Sequence, residues 1–176
     1  MRFHRELGIR VYESFKDLER VIEAQETTKS KGDLFEDFIW CYFTLKAQKY
    51  QIHKIFRLQD APKDLLDMYH IEENDSGVDG VFILANGKLA GYQVKFRTGR
   101  VKPKYEELTK FWIESKHTEY KYTVSNAYDL TRLAEKQEGH YSVLVQEFEN
   151  LDEDFFKSLF ELVNGQQVIR RLYEPY

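Results

Sequence analysis

The stretch GVDGVFILANGKLAGYQVKF, residues 77 to 96, constrains the fold of this chain more than any other. It reads as two strands, about 78 to 85 and 88 to 96, around an Asn86-Gly87 turn signal. Strands this apolar are normally buried on both faces, so the hairpin belongs in the middle of a sheet covered by helices. Three polar residues interrupt it: Asp79, Gln93 and Lys95. Gln93 and Lys95 are two apart on one strand and therefore share a face. The place of Asp79 depends on the turn. A two-residue Asn86-Gly87 loop pairs Asp79 with Val94 and sets it on the opposite face. A three-residue loop, or a bulge, brings it level with Gln93 and Lys95. Joint chemistry by the three groups requires the second arrangement, which predicts an irregularity at the turn or beside Gly80.

The rest of the chain supplies the cover. Residues 9 to 26 carry Val11, Phe15, Leu18 and Ile22 at helical spacing. A polar stretch, TTKSKGD, leads to Asp33 as an expected N-cap, then to a helix from about 33 to 49 that is apolar nearly all round and so central. QIHKIFRL reads as a strand, and residues 59 to 76 as a polar connection with at most one helical turn. After the hairpin come a basic loop, a helix (KYEELTKFWIESKH), a strand (YKYTVS), a helix (DLTRLAEKQE), a strand (YSVLVQEF) and a closing helix stopped by Gly165. Three meandering strands followed by alternating helices and strands imply one α/β domain. Its mixed sheet is expected to be flanked by helices on both faces.

With 176 residues, 42% of them hydrophobic, the chain suits a single globular domain. A net charge of only -4 excludes a protein that coats nucleic acid through bulk positive charge. The single cysteine, Cys41 in FIWCYF, is expected to be a buried, inert thiol, and one cysteine makes no internal disulfide. The first ten residues lack a signal-peptide core, and no apolar run nears the ~20 residues of a membrane span. A cytoplasmic location without a membrane partner is the expectation. The five histidines show no metal-ligand spacing.

An acid and a side-chain amide oxygen can hold a hard cation such as Mg²⁺, with the Val94 backbone carbonyl as a third oxygen. A lysine beside them can orient water and offset phosphate charge. That layout suits metal-assisted phosphodiester hydrolysis. Glu36, on the apolar helix with Asp33, Asp37 and Trp40 around it, can add a carboxylate; an acid among aromatics is costly unless it is paired or ligates something. Taken one at a time, Asp79 is also readable as a turn acid, and Gln93 and Lys95 as strand-end polar groups. The set of four is what points to a site.

At these residues the chain resembles the PD-(D/E)xK nuclease superfamily, the restriction-endonuclease-like fold. There an acid opens the second strand and an acid-x-Lys tripeptide lies on the third, matching Asp79 and Gln93-Val94-Lys95 here. The Gln variant resembles the Mrr-like branch, and KGDLFEDFIWCYF is similar to that branch's first helix, whose Glu assists metal binding and corresponds to Glu36. GVDGVF, GYQVKFR and YKYTVSNAYDLT look like the nuclease domain fused to helicases in type III-like and type ISP-like restriction enzymes. The match spans roughly residues 30 to 150. It implies a catalytic set of Asp79, Gln93, Lys95 and Glu36. The implied metal ligands are Asp79, Gln93, the Val94 carbonyl and Glu36, with Mg²⁺ or Mn²⁺ as cofactor and DNA as substrate. Residues 1 to 28 are then a helical extension. The C-terminal helix, 152 to 164, leads through RRLYEPY toward an expected helicase region of the same polypeptide. No Gly-x-x-x-x-Gly-Lys-Ser/Thr phosphate loop occurs in the chain itself. Nucleases of this fold often cut both strands as two copies, so a homodimer is compatible with the reading.

The loop after the hairpin, KFRTGRVKPKY, holds Lys95, Arg97, Arg100, Lys102 and Lys104 with no acid among them, a candidate grip on the phosphate backbone. Ser125 and Asn126, at the end of the next strand, can contact a phosphate or hold that loop. The alternative to a nuclease is a domain of the same fold that has lost metal affinity through Gln93 and only binds DNA or a protein.

Overall fold

The structure, a computed structural model, describes residues 2–4, 9–73, 77–166 and 172–173. It divides into two compact units, residues 1–45 with 145–176 and residues 46–144.

The second unit holds the sheet. Its five strands, β3 (Ile52–Arg57), β4 (Gly80–Leu84), β5 (Leu89–Lys95), β6 (Tyr120–Ser125) and β7 (His140–Val143), lie side by side in chain order. The first three run antiparallel, and β5, β6 and β7 run parallel. The parallel crossovers need a helix, and α4 (Tyr105–Glu114) and α5 (Arg132–Glu135) supply them. Val81 and Leu89, neighbours on one face, join Leu108, Phe111 and Trp112 of α4 and Ala134 of α5 in one buried cluster, with Leu66 from α3 (Lys63–Met68). The opposite face carries Phe82, Ala90, Tyr92 and Val124, all buried completely. The hairpin is thus central, as its composition requires. This is an α/β fold with a five-stranded mixed sheet flanked by helices, compatible with a restriction-endonuclease-like fold.

The first unit is built on aromatic packing. Helices α1 (Phe15–Glu23), α2 (Thr28–Leu45), α6 (Val145–Glu149) and α7 (Glu153–Gln166) accompany a two-stranded antiparallel ribbon, β1 (Arg2–His4) and β2 (Ile9–Val11). Phe148 sits within 5.1–5.9 Å, ring centre to ring centre, of Phe15, Phe35, Phe38 and Tyr42. Cys41 is buried among these helices, as expected.

Several boundaries differ from the sequence reading. Residues 9 to 11 are strand, and the first helix starts only at Phe15, where the Ser14 hydroxyl accepts the Asp17 N–H. Helix α2 starts at Thr28, not at Asp33. Thr27 and Ser30 cap each other reciprocally: the Thr27 hydroxyl accepts the Ser30 N–H at 3.0 Å and the Ser30 hydroxyl accepts the Thr27 N–H at 3.2 Å. Asp33 instead pairs with Lys29, one turn back. YSVLVQEF is half strand and half helix, because β7 ends at Val143 and α6 begins at Val145. Gly165 does not stop the last helix, which runs on to Gln166. No helix of the described residues is long and apolar enough to cross a membrane.

Candidate active site

The hairpin loop has three residues. Leu84 pairs with Lys88: the Leu84 N–H donates to the Lys88 carbonyl at 2.8 Å, and the Gly87 N–H donates to the Leu84 carbonyl at 2.9 Å. Gly87 closes the turn at φ 84, the left-handed conformation that such a loop demands at its last position and that glycine adopts without strain. The extra residue shifts the whole pairing. Ile83 faces Leu89 and Gly80 faces Tyr92, a register that brings Asp79 to the Tyr92–Gln93 end of β5 instead of opposite Val94.

A second irregularity lies beside Gly80. The Asp79 N–H also donates to the Tyr92 carbonyl, at 2.9 Å, so two residues of one chain segment face one of the other, as in a bulge. Gly80 is required here: a Cβ would lie 2.3 Å from the Tyr92 ring, which lies across it. The ladder would next join Val78 to Val94. Instead the Asp79 carboxylate reaches across and accepts the Val94 N–H at 2.6 Å. In an extended strand one residue's N–H and C=O point the same way. The Val94 carbonyl is therefore turned toward the Asp79 side as well.

Gln93 is 3% exposed. Its side-chain NH₂ donates to the Gly77 carbonyl at 3.0 Å, which fixes the orientation of the amide. Its Oε1 is buried and finds no hydrogen-bond donor among the described residues. A buried acceptor left in this way costs about 1–3 kcal/mol unless something else satisfies it. Lys95, one pleat further on the same face, is half-buried. Asp79, Gln93, Val94 and Lys95 thus gather at one strand end. Glu36 lies half-buried on α2 in the other unit.

The donor set at the strand end is all oxygen: one carboxylate, one amide and one main-chain carbonyl. That chemistry fits a hard divalent cation. Among the described residues no group of three or more His, Cys, Asp or Glu side chains is placed to hold a metal. Metal binding here would therefore lean on neutral oxygens, with Gln93 standing where an acid would add charge.

The basic loop is less free than its composition suggested, because the fold brings acids to it. Arg97 pairs with Glu107 of α4 at 2.7 Å, and the other Glu107 oxygen accepts the Lys104 N–H at 2.7 Å. Burial works to raise the Glu107 carboxyl, but these two hydrogen bonds and the charges of Arg97 and Lys95 outweigh it and hold the group below its ordinary value. Lys102 pairs with Asp129 at 3.4 Å. Arg100 sits over the Tyr128 ring, 5.3 Å from its centre, and donates to the Tyr128 hydroxyl. Lys104 is exposed. Ser125 and Asn126 are completely buried. The Ser125 hydroxyl accepts the Ala127 N–H, while the Asn126 amide accepts the Arg97 N–H and donates to the Arg97 carbonyl, both at 2.8 Å. Asn126 therefore clamps the backbone two residues beyond Lys95. Holding the loop is one of the two roles that the sequence allowed Asn126; for Glu107 the sequence offered no signal, since its contact depends on which loop lands beside which.

No protein-family model matches the chain, and no curated protein matches it. Among solved structures it is similar to an ATP-dependent Type ISP restriction-modification enzyme, LlaBIII, bound to DNA. The TM-score is 0.61 at 21% sequence identity, with 79% of this chain covered. The chain spans 8% of that enzyme's length. At this identity the likeness shows a shared fold.

Proposed function

We propose that this chain is a metal-dependent DNA endonuclease domain that hydrolyses phosphodiester bonds as part of a restriction or defence enzyme. The observation that carries the reading is the buried, donorless Gln93 Oε1 beside the Asp79–Val94 bridge, with Lys95 two residues on. A restriction enzyme of the same fold, bound to DNA, supports it.

A Mg²⁺ or Mn²⁺ ion held by Asp79, Gln93 Oε1 and the Val94 carbonyl would supply Lewis-acid chemistry at the phosphate. The chain's own groups do the rest. Asp79, braced by the Val94 N–H, presents its carboxylate in a fixed orientation. Lys95 places positive charge where the phosphate gains negative charge, and its ammonium can orient the attacking water. The Asn126 clamp keeps the segment after Lys95 in place. Arg100, Lys102 and Lys104 hold the DNA backbone without reading sequence. An ATP-driven region elsewhere in the same polypeptide, and pairing of two copies for double-strand cleavage, belong to the same proposal.

The test is nicking of supercoiled plasmid with Mg²⁺ or Mn²⁺. Wild type should nick, and Lys95→Ala should lose about 10²–10³-fold in rate, the usual worth of one positioned donor that stabilises developing charge. Equal rates in the two proteins would remove the nuclease reading. The presence of Gln93 favours a second reading, a DNA-binding module of weak or no activity. It predicts no nicking, but binding that survives Asp79→Ala and fails when Arg100, Lys102 and Lys104 are replaced together.

A further inference from the structure

Two histidines that lie far apart in the chain meet on the surface of the second unit. The ring centres of His70 and His117 are 4.8 Å apart, with 53° between the ring planes. Both residues are exposed. The nuclease reading uses neither, and no spacing in the sequence marks them as a pair.

The backbone holds both residues in place. His70 follows α3 and takes the left-handed conformation, φ 56, where the chain leaves the helix. The next N–H, of Ile71, donates back to the Leu66 carbonyl at 2.9 Å, and both of these residues belong to the buried cluster under the sheet. His117 lies in the turn between α4 and β6. Its neighbour Thr118 is buried; the Thr118 N–H donates to the Ser115 carbonyl at 3.0 Å, and its hydroxyl lies 2.8 Å from the Ser115 carbonyl and 2.9 Å from that of Tyr120. Adjacent side chains tie the two segments together. The Tyr69 hydroxyl donates to Glu119 Oε1 at 3.5 Å, and Glu119 Oε2 accepts the Leu89 N–H at 2.9 Å. The two Cα positions are therefore fixed by the fold, and rotation of the exposed rings adjusts how their nitrogens approach.

A metal–nitrogen bond measures about 2.0–2.1 Å, so two imidazoles on one ion have ring centres roughly 4.5–5.2 Å apart at bond angles of about 90–110°. The separation of His70 and His117 falls inside that span. The surroundings also suit a cation. A cavity of about 400 Å³ opens beside His70, lined by Lys63, Asp67, His70, Ile71, Glu72 and Glu73. Its three carboxylates face one lysine, which is itself paired with Glu73 at 3.6 Å. We infer that His70 and His117 together bind one divalent transition-metal ion of the Zn²⁺, Ni²⁺ and Cu²⁺ class, which imidazole suits. Among the described residues no group of three or more His, Cys, Asp or Glu side chains is placed to hold a metal, so water completes the coordination and the ion can exchange. Such an ion joins the end of α3 to the turn before β6. Its chemistry is the opposite of the strand end, where an all-oxygen set fits Mg²⁺. The inference stands apart from the nuclease reading, since no residue is shared.

The test titrates the full chain with Zn²⁺ alone, followed by isothermal calorimetry. Wild type should bind Zn²⁺ at the pair. His117→Ala should weaken that binding about 100-fold or more, beyond the 10–100-fold that loss of a group behind a ligand costs. His70→Asn should do the same; asparagine tolerates the left-handed backbone, so the end of α3 is kept. The double variant should lose little more than either single one, because one imidazole without the other holds the ion poorly. Wild type loaded with Cu²⁺ should show two imidazole nitrogens by electron paramagnetic resonance, and His117→Ala should lose one. His53→Ala and Asp79→Ala should bind Zn²⁺ as wild type does. Absence of Zn²⁺ binding, or binding unchanged in His117→Ala, overturns the inference and leaves a plain ring contact. Loss of binding in Asp79→Ala, with His117→Ala unaffected, assigns the ion to the strand end and also overturns it. Nicking with Mg²⁺ should be the same in His117→Ala as in wild type, so the two ideas fail separately.

Discussion

The aromatic cluster of the first unit is buried and the strand end at Asp79 partly so, yet they are built on opposite rules. Around Phe148 every ring meets another ring, and among these five side chains only the Tyr42 hydroxyl needs a polar partner. At the end of β4 and β5 a carboxylate replaces a ladder rung, an amide oxygen lacks a donor, and a glycine exists only to admit a neighbouring ring. The first arrangement is what packing alone would select. The second sacrifices local stability, which is what a functional site does when its geometry is needed for something else. The chain also has one tryptophan in each unit, Trp40 and Trp112, so single-tryptophan variants can report on each separately.

The largest expected effect tests the packing side. Phe38→Ala removes a fully buried ring and should cost about 3–5 kcal/mol, lowering the melting temperature by roughly 10 °C. The folded fraction should keep its nicking rate. If activity falls before stability does, the contrast between the regions is too sharp.

Next comes Gly80→Ala. Its Cβ would meet the Tyr92 ring at 2.3 Å, so the ring or the strand must shift. The expected cost is about 1–3 kcal/mol, with a loss of nicking out of proportion to it, because Asp79 is the adjacent residue. Thermal melts and plasmid nicking on one preparation separate the two effects. A variant of normal stability and activity would show that the close approach is not needed.

Asn126→Ala leaves the Arg97 N–H and carbonyl without their side-chain partner and should cost about 1–3 kcal/mol. As a positioning residue, Asn126 should affect the turnover rate more than plasmid affinity. A pure affinity change would instead favour the direct phosphate role.

The smallest effect is a pH dependence. His140 on β7 packs edge-on to Trp112, and its Nε2 is 2.8 Å from the Thr123 hydroxyl. Burial lowers its pKa from 6.5 to about 4, against the hydrogen bond to the Ala134 backbone and with a smaller push from Lys121. Its folded value is depressed, so below pH 6.5 the unfolded chain takes up the proton more readily. The stability tied to neutral His140 is therefore present above pH 6.5 and lost progressively as pH falls toward 4. Trp112 fluorescence during denaturation at pH 7 and pH 4.5 should show the decline, and His140→Gln should flatten it.

Much of this was readable in advance. The period-two pattern made Gln93 and Lys95 face the same way, and the apolar flanks made their hairpin central. Alternation of strands and helices after residue 100 set the parallel half of the sheet. The strand after the last crossover was half misread because LVQEF is equally apolar as strand or helix, and no local feature marks where β7 yields to α6. The N-cap at Thr27 was missed because Gly32-Asp33 is a stronger local stop signal than a Thr-Ser pair. The basic loop looked unopposed because Glu107 and Asp129 lie outside it in sequence and reach it only through the fold.

The amino-acid sequence by itself determined the hairpin, the face shared by Gln93 and Lys95, and the order of the elements, since each follows from residue period and local apolarity. Only the tertiary structure decided whether Asp79 joins them. Asn-Gly is compatible with a two-residue and a three-residue loop, and the two differ by one residue of register. That slip carries Asp79 from one face of the sheet to the other, and local propensity cannot settle it. The choice is set by what packs across the strands, including the Tyr92 ring over Gly80, and those contacts exist only once the sheet has formed.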